Sequence, residues 1–310
     1  MTDAPSSLRP LVIVNPRAGT GAGAATARLE ELLRAQGLHP DVRVTSGPGH
    51  ASELAAEAQA EGRSMVVAAG GDGTVSEVVN GLLQPGGSPD APVLGILPLG
   101  SGCDYVKTFG IDAQIEQAAA RIASDSAPVP VDAARISFTT LDGPAQRVFV
   151  NIAEAGIGAE VVEAASQLPR RLGPAVYFTA FWKTLPRFSR RHAMLQDPAS
   201  DQVLYEGSVM NVVVAIGRVF GGGMRVAPDA DPADGLLDVQ VHAGSKLDFV
   251  RALPKVYRGA HLPHPRIHEH RVSSLRLECE PAALIEADGE VLGTTPATFE
   301  VLPHALRLKV

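Results

Sequence analysis

Cysteine is nearly absent: Cys103 and Cys279 are the two in 310 residues. Two thiols cannot build the disulfide framework of a small secreted scaffold, and so low a count suits a reducing compartment. No apolar run reaches the roughly 18 residues that a membrane-spanning helix needs. The N-terminus, Met1 to Arg9, carries Asp3 and lacks the apolar core of a signal peptide. Basic charge is not in excess either. Lys plus Arg is 27 against 34 Asp plus Glu, a net charge of −7, the reverse of the basic balance expected of a broad nucleic-acid binder. Tryptophan occurs once. These absences predict a cytoplasmic protein with no nucleic-acid partner, whose membrane contact would be peripheral, at the inner face. They leave the oligomeric state open.

What is present is ordinary globular material, 45% hydrophobic and 20% charged residues, in a chain long enough for about two domains. The first 125 or so residues alternate strand and helix patterns. Leu11–Val14, Val42–Val44, Met65–Ala69 and Val93–Leu97 are short β-branched or continuous apolar runs. Between them, Ala25 to Leu33, Ser52 to Glu61 and Val75 to Leu82 follow helical spacing, and Ile115 to Ala123 adds a further helix. That rhythm implies an α/β fold, a doubly wound and mostly parallel sheet. After Pro128 it changes to strand-like segments: Val129–Thr139, Arg147–Ile152, Val203–Ala215, Leu236–His242, Val272–Leu277 and Ala305–Val310. We therefore expect a nucleotide-binding α/β domain over 1–128 and a β-rich, β-sandwich-like domain over 129–310. The extreme C-terminal strand is free to return to the first domain.

Four small-residue or acidic loops follow strands. Asn15-Pro16-Arg17-Ala18-Gly19 closes the first strand, and its glycines and the helix behind it suit an anion. It matches neither the P-loop nor the dinucleotide fingerprint, and alone it reads equally as a connecting turn. Gly70-Gly71-Asp72-Gly73-Thr74 lies where open α/β sheets bind ligands. Its backbone suits phosphate while Asp72 repels it, unless that carboxylate manages a metal or a proton. The combination fits phosphoryl transfer. Pro98-Leu99-Gly100-Ser101-Gly102-Cys103-Asp104 repeats that logic, and Asp288-Gly289-Glu290 places two carboxylates around a turn glycine.

In this order, the four motifs resemble the catalytic family of diacylglycerol kinases, which includes bacterial lipid kinases, sphingosine kinases and ceramide kinases. Gly221-Gly222-Gly223-Met224, Asp234-Gly235-Leu236 and Val150-Asn151-Ile152 extend the likeness from Leu11 to Val310. The resemblance implies an ATP-dependent kinase acting on a lipid hydroxyl, with ATP and Mg2+ as cofactors. It places Asn15, Thr45, Gly70, Gly71, Asp72, Gly73, Thr74, Val75, Ser76 and Ser101 at the ATP site. Asp72 is implied beside the transferred phosphate, and Glu290 or Asp288 as acceptor of the lipid proton. A structural Mg2+ is implied at Asp231, Asp234 and the Leu236 carbonyl, oxygen donors suited to a hard cation. There are three departures from the pattern: Cys103 where asparagine is usual, Ile216 where asparagine is common, and Tyr105-Val106 for aromatic-Ala. Two rival readings stay open, an NAD kinase-like enzyme, which shares the Gly-Gly-Asp-Gly-Thr loop, and a non-catalytic lipid- or nucleotide-binding module.

Two further signals stand apart. His261, His264, His268 and His270 cluster, but with prolines between them and no zinc-motif spacing. Between Leu168 and Leu195, Arg170, Arg171, Lys183, Arg187, Arg190 and Arg191 alternate with Tyr177, Phe178, Phe181, Trp182 and Phe188. This pattern fits either a segment lying on anionic headgroups or a packed helix with snorkelling arginines.

Overall fold

The structure, a computed structural model, describes residues 9–18, 22–84, 91–100, 102–111, 114–169 and 175–310, and the backbone alone of 22–25. The chain forms two compact units, Met1–Val131 with His304–Val310, and Asp132–Pro303.

In the first unit, β1 (Leu11–Val14), β2 (Asp41–Val44), β3 (Met65–Gly70) and β4 (Val93–Pro98) pair in parallel in the order β2-β1-β3-β4. The C-terminal segment joins alongside β4, with Leu308 opposite Leu94. β1 and β3 are buried along their whole length, as expected of strands covered on both faces. On one face, Leu29 and Leu33 of α1 (Ala22–Ala35) and Ala118, Ala119 and Ile122 of α5 (Ile115–Ala123) pack against Val12, Val14, Val67 and Leu97. The helices α2 (His50–Ala60) and α3 (Asp72–Leu82) pack on each other, with Gly81 against the Ser52 carbonyl. From β1 the chain steps outward to β2 and returns past β1 to β3. The strand order thus reverses at β1, and the crevice outside the carboxyl ends of β1 and β3 is where such sheets take ligands.

The second unit is built on antiparallel strand pairs. β7 (Ile152–Gly156) lies between β10 (Asn211–Ala215) and β14 (Leu284–Ala287). Beyond β10 come β11 (Leu237–His242) and β12 (Ile267–Val272). The other strands are β5 (Val129–Thr140), β6 (Gly143–Phe149), β8 (Arg191–Asp197), β9 (Gln202–Val209), β13 (Ser274–Glu280) and the long β15 (Glu290–Leu308). Their inward residues, among them Ile136, Phe149, Leu195, Val212, Leu275, Ile285 and Phe299, form one core. Each such side chain contributes about 1.5–3 kcal/mol by leaving water. Among the described residues, three helices lie in this unit: α6 (Ile157–Ser166), α7 (Ala175–Thr184) and α8 (Lys246–Val256).

Several sequence boundaries move. Val203–Ala215 is two strands, because at Met210 the chain changes partners: β9 pairs with β8, and β10 with β7 and β11. Arg147–Ile152 is interrupted at Val150 and Asn151, whose N–H groups donate to the Asp288 carboxylate instead of a strand. The segment around Val272 is likewise two strands, β12 and β13.

Candidate active site

The sequence motifs of the first unit meet at the carboxyl ends of β1, β2 and β3. The Asn15 N–H donates to Ala69 O at 3.0 Å, and the Thr45 N–H to Val14 O at 2.9 Å. The Asn15 side-chain amide donates to Thr74 Oγ at 3.1 Å, tying the first loop to the start of α3. A Cβ on Gly70 would fall 2.2 Å from that same Thr74 hydroxyl, and one on Gly100 would lie 2.7 Å from Gly71 Cα. Both positions therefore require glycine for close approach. Gly73 is exposed with open space around it, whereas Val75 and Ser76 are buried in α3. Gly19 and Ser101 lie outside the described residues.

Asp72 begins α3, and its carboxylate accepts the N–H groups of Asp104 (3.0 Å) and Tyr105 (3.1 Å). Those are the first residues of the short helix α4 (Asp104–Thr108), so Asp72 acts as that helix's N-terminal acceptor from another loop. Burial pushes its carboxyl above the usual range, opposed by the two N–H groups. Lys107 ion-pairs with the buried Asp104 at 2.7 Å. Cys103, before α4, holds φ 46° and ψ 51°, the left-handed region that asparagine tolerates better than most residues. Its thiol donates to Gly100 O at 3.2 Å, and burial pushes it above the usual thiol range.

In the second unit, Asp288 and Gly289 join β14 to β15 as a two-residue turn, with φ 50° and 86°. This is the left-handed pair of a type I′ hairpin, for which Asp-Gly is a preferred sequence. The two motif carboxylates then diverge in environment. Asp288 is buried, and its oxygens accept the N–H groups of Asn151 and Val150, both at 3.1 Å. Glu290 is exposed, ion-paired to Arg147 at 2.8 Å. Glu290, Gly289, Val162, Ala165, Val176, Tyr177 and Val291 are among the residues around a cavity of about 630 Å³.

The proposed metal positions form a loop whose carboxylates already have partners. Asp231 accepts the Ala233 N–H at 3.1 Å, and Asp234 accepts the Leu236 N–H at 3.0 Å as well as the Arg271 guanidinium. Buried Asp132 holds the same loop through the Gly235 N–H at 2.7 Å. Asp238 Oδ2 is buried without a hydrogen-bond partner, and burial raises its carboxyl to about 6. Among the described residues, no group of three or more His, Cys, Asp or Glu side chains is placed to hold a metal.

Sequence reasoning missed Arg147, Asp132, Glu154 and Glu286. An aspartate between Val131 and Ala133 in an apolar strand was the visible signal for Asp132. Nothing in the sequence linked Arg147 to Glu290, which lies 143 residues away.

Residues 9–136 match the diacylglycerol kinase catalytic domain, and residues 151–310 match the YegS C-terminal NAD kinase beta sandwich-like domain. The second match spans half of the chain. The chain belongs to the diacylglycerol kinase family. A protein of Shigella flexneri named "Probable lipid kinase YegS" is 30% identical over 280 residues, covering 90% of this kinase and 89% of that protein. The diacylglycerol kinase of Mycobacterium tuberculosis is 29% identical over 299 residues, or 96% and 93% of the two chains. In fold, the kinase resembles a crystal structure of a Bacillus anthracis diacylglycerol kinase, with TM-score 0.71, 22% identity and coverage of 97% and 96%. Yeast NADH kinase shares the fold more distantly, at TM-score 0.50 and 10% identity, covering 98% of this chain and 83% of that one.

Proposed function

We propose that this lipid kinase transfers the γ-phosphate of ATP to the hydroxyl of a diacylglycerol-like lipid, with Glu290 as general base. The observation that carries this reading is Glu290 itself, an exposed carboxylate beside a cavity whose wall mixes Val162, Ala165, Val176, Tyr177 and Val291 with the polar Glu163, Ser166 and Gln167. The apolar part of that wall suits an acyl chain, and its polar part a reacting hydroxyl. Asp288 is the poorer base because both of its oxygens already accept backbone N–H groups. Its role is to fix the turn that presents Glu290.

In this account Asn15, Thr45 and Gly70 to Ser76 receive the nucleotide, with Val75 and Ser76 contributing only backbone. Ser101 is assigned to the same site from its motif. The start of α3 offers N–H groups to phosphate oxygens, and Asp72 holds the start of α4 beside them. Glu290 takes the proton from the lipid hydroxyl as its oxygen bonds to the γ-phosphorus and the bond to the β-phosphate oxygen breaks, leaving ADP. Mg2+ supplies charge neutralisation on the phosphate oxygens. For a structural Mg2+, the Asp231 and Asp234 carboxylates and the Leu236 carbonyl would be hard oxygen donors, and Asp238 beside them has one unpartnered oxygen, its other lying 3.5 Å from Arg271. These are the right donor types for the ion, and binding it would require Arg271 to release the Asp234 carboxylate.

Peripheral membrane contact belongs to the same proposal, though with a different set of residues from the basic alternation as a whole. Phe178 and Trp182 on α7 are 68% and 44% exposed, Tyr177 is exposed beside the cavity, and Lys183 and Arg187 are exposed near them. Arg190 is bonded to the Ser208 and Ala243 carbonyls, Arg191 ion-pairs with Glu160 at 3.0 Å, and Phe188 is buried. Phe188 and Arg191 serve packing, Arg190 is exposed but tied to backbone, and Arg170 and Arg171 lie outside the described residues. An aromatic face with flanking cations suits the headgroup layer of an anionic bilayer.

The test is transfer from labelled ATP with diacylglycerol, a sphingoid base, a polyprenol and NAD offered in turn. Labelled diacylglycerol is the expected product. Label only in NAD, or in no acceptor, overturns the reading in favour of the NAD kinase-like or binding-module alternatives.

A further inference from the structure

The Asp288–Glu290 turn rests on a second pair of acids that the phosphoryl transfer does not use. Glu154 on β7 and Glu286 on β14 are directly opposite in the antiparallel ladder, and residues so paired project from the same face of a sheet. Glu286 is fully buried; its Oε2 accepts the Gly289 N–H at 2.9 Å, and its Oε1 has no hydrogen-bond partner. Glu154 Oε1 accepts the Asn211 side-chain amide at 2.7 Å, and Asn211 in turn accepts the Gly158 N–H at 3.1 Å. A Cβ on Gly158 would lie 2.2 Å from Glu154 Oε2, so the first turn of α6 closes directly over this carboxyl. Two ionised carboxylates in such a place would be unstable together. A buried acid whose second oxygen lacks a donor is satisfied when that oxygen carries the proton itself.

We propose that Glu286 and Glu154 hold one proton between them and that Glu286 is the positioning residue of the Asp-Gly-Glu turn. The bond from Gly289 to Glu286 sets the left-handed turn from inside, while Asp288 fixes it to Val150 and Asn151. The side chain of Glu290 is then presented to the cavity with little freedom. Glu286 touches neither nucleotide nor lipid in this account. The inference rests on the reading of Glu290 as base only for its effect on turnover; the shared proton stands without it.

The charge surroundings agree. Burial first, then the neighbouring Glu154 charge, pushes the Glu286 carboxyl well above the usual range, and burial pushes Glu154 up as well. The other titratable or charged groups on the packed elements are Asp288 and Glu290 at the turn, Arg147 on β6, Tyr177 on α7, and Glu160 and Glu163 on α6. Arg147 is occupied by Glu290, and Arg191 by Glu160, so neither cation is committed to the pair. Unfolded glutamates titrate near about 4.3. Stability from the protonated pair is therefore complete below that pH and is lost as pH rises through the higher folded values.

Three variants test this: Glu286→Gln, which keeps an acceptor for Gly289 and donates permanently to Glu154; Glu286→Leu, which does neither; and Glu154→Gln. The melting temperature of the parent, measured from roughly pH 5 to 9, should fall relative to Glu286→Gln as pH rises. Glu154→Gln should flatten the same dependence. In the kinase assay, Glu286→Leu should lower kcat about tenfold, the cost of one unmade buried hydrogen bond, with KM for ATP unchanged. Glu286→Gln should recover most of that loss. Parallel melting curves for the parent and Glu286→Gln across the range would overturn the shared proton. Equal impairment of Glu286→Gln and Glu286→Leu would overturn the positioning role. If Glu286→Leu does not fold, the melting comparison still decides the shared proton, because it uses only the other two variants, and Glu286→Met, which likewise lacks an acceptor for Gly289, replaces it in the kinase assay. The melts need no substrate, so a failure of lipid transfer and a failure of the acid pair are read separately.

Discussion

Among single residues, Asp72 has on our proposal a catalytic job beside its structural one, and different substitutions separate the two. Its carboxylate accepts the Asp104 and Tyr105 N–H groups, so the glycines around it do not alone set the path of the loop. Asp72→Ala should abolish phosphoryl transfer and also cost about 1–3 kcal/mol, because two buried donors lose their acceptor. Asp72→Asn, which keeps one acceptor oxygen, should lose transfer with a smaller drop in melting temperature. Equal melting temperatures for the parent and Asp72→Ala would show that α4 does not depend on this contact. Cys103 offers the opposite case. In its left-handed conformation, a β-branched side chain is strained by about 1–3 kcal/mol, so Cys103→Val should melt well below the parent, and Cys103→Asn at or above it. This positive φ is a physical reason for asparagine at the position, one that the sequence alone did not supply. The division of labour between Asp288 and Glu290 was equally hidden. Both are carboxylates one glycine apart, and only the donors at Val150, Asn151 and Arg147 distinguish them.

Among the elements, the parallel strands were legible because a fully buried strand must be apolar along its length, as Leu11–Val14 and Met65–Gly70 are. Strands of the second unit were harder. Their boundaries are set by changes of partner, as at Met210, and by side chains such as Asp288 taking backbone donors, neither of which leaves a mark on local periodicity. The helix α8 was missed although Ser245 and Asp248 form a reciprocal capping box. The helix α7 shows why a pattern of alternating aromatic and basic residues is ambiguous. One segment supplies both packed residues, Phe188 and Arg191, and exposed ones, Phe178 and Trp182. Replacing Phe178 and Trp182 with serine, together with Lys183→Ser and Arg187→Ser, should weaken cosedimentation with anionic vesicles. The basic pair should account for about 1 kcal/mol per residue and should lose its effect in high salt. Vesicle binding unchanged by all four substitutions would make α7 an ordinary packed helix. The Asp231–Leu236 loop gives a further element-scale expectation. Asp234→Ala should weaken Mg2+ binding measured by calorimetry, and Arg271→Ala, which frees the Asp234 carboxylate, should strengthen it. Unchanged affinity in both variants removes the loop as a Mg2+ site.

For the molecule as a whole, the fold class was readable because the change from βα alternation to runs of strands is a long-range pattern that no local ambiguity erases. The site was readable as motifs but not as chemistry, since each motif names residues without their partners. No helix among the described residues is long and apolar enough to cross a membrane, and the net charge of −7 opposes a general attraction to anionic bilayers. On our proposal, access to a lipid depends on a focused face such as that of α7. The central claim remains that Glu290 is the group that takes the lipid proton. It is tested most directly by Glu290→Gln, assayed for label transfer from ATP to diacylglycerol while ATP binding is followed by calorimetry on the same preparation. The account predicts a loss of kcat of at least about 100-fold, the lower range for a general base, with ATP affinity within a factor of two of the parent. Turnover within a few fold of the parent, with ATP bound normally, would contradict it.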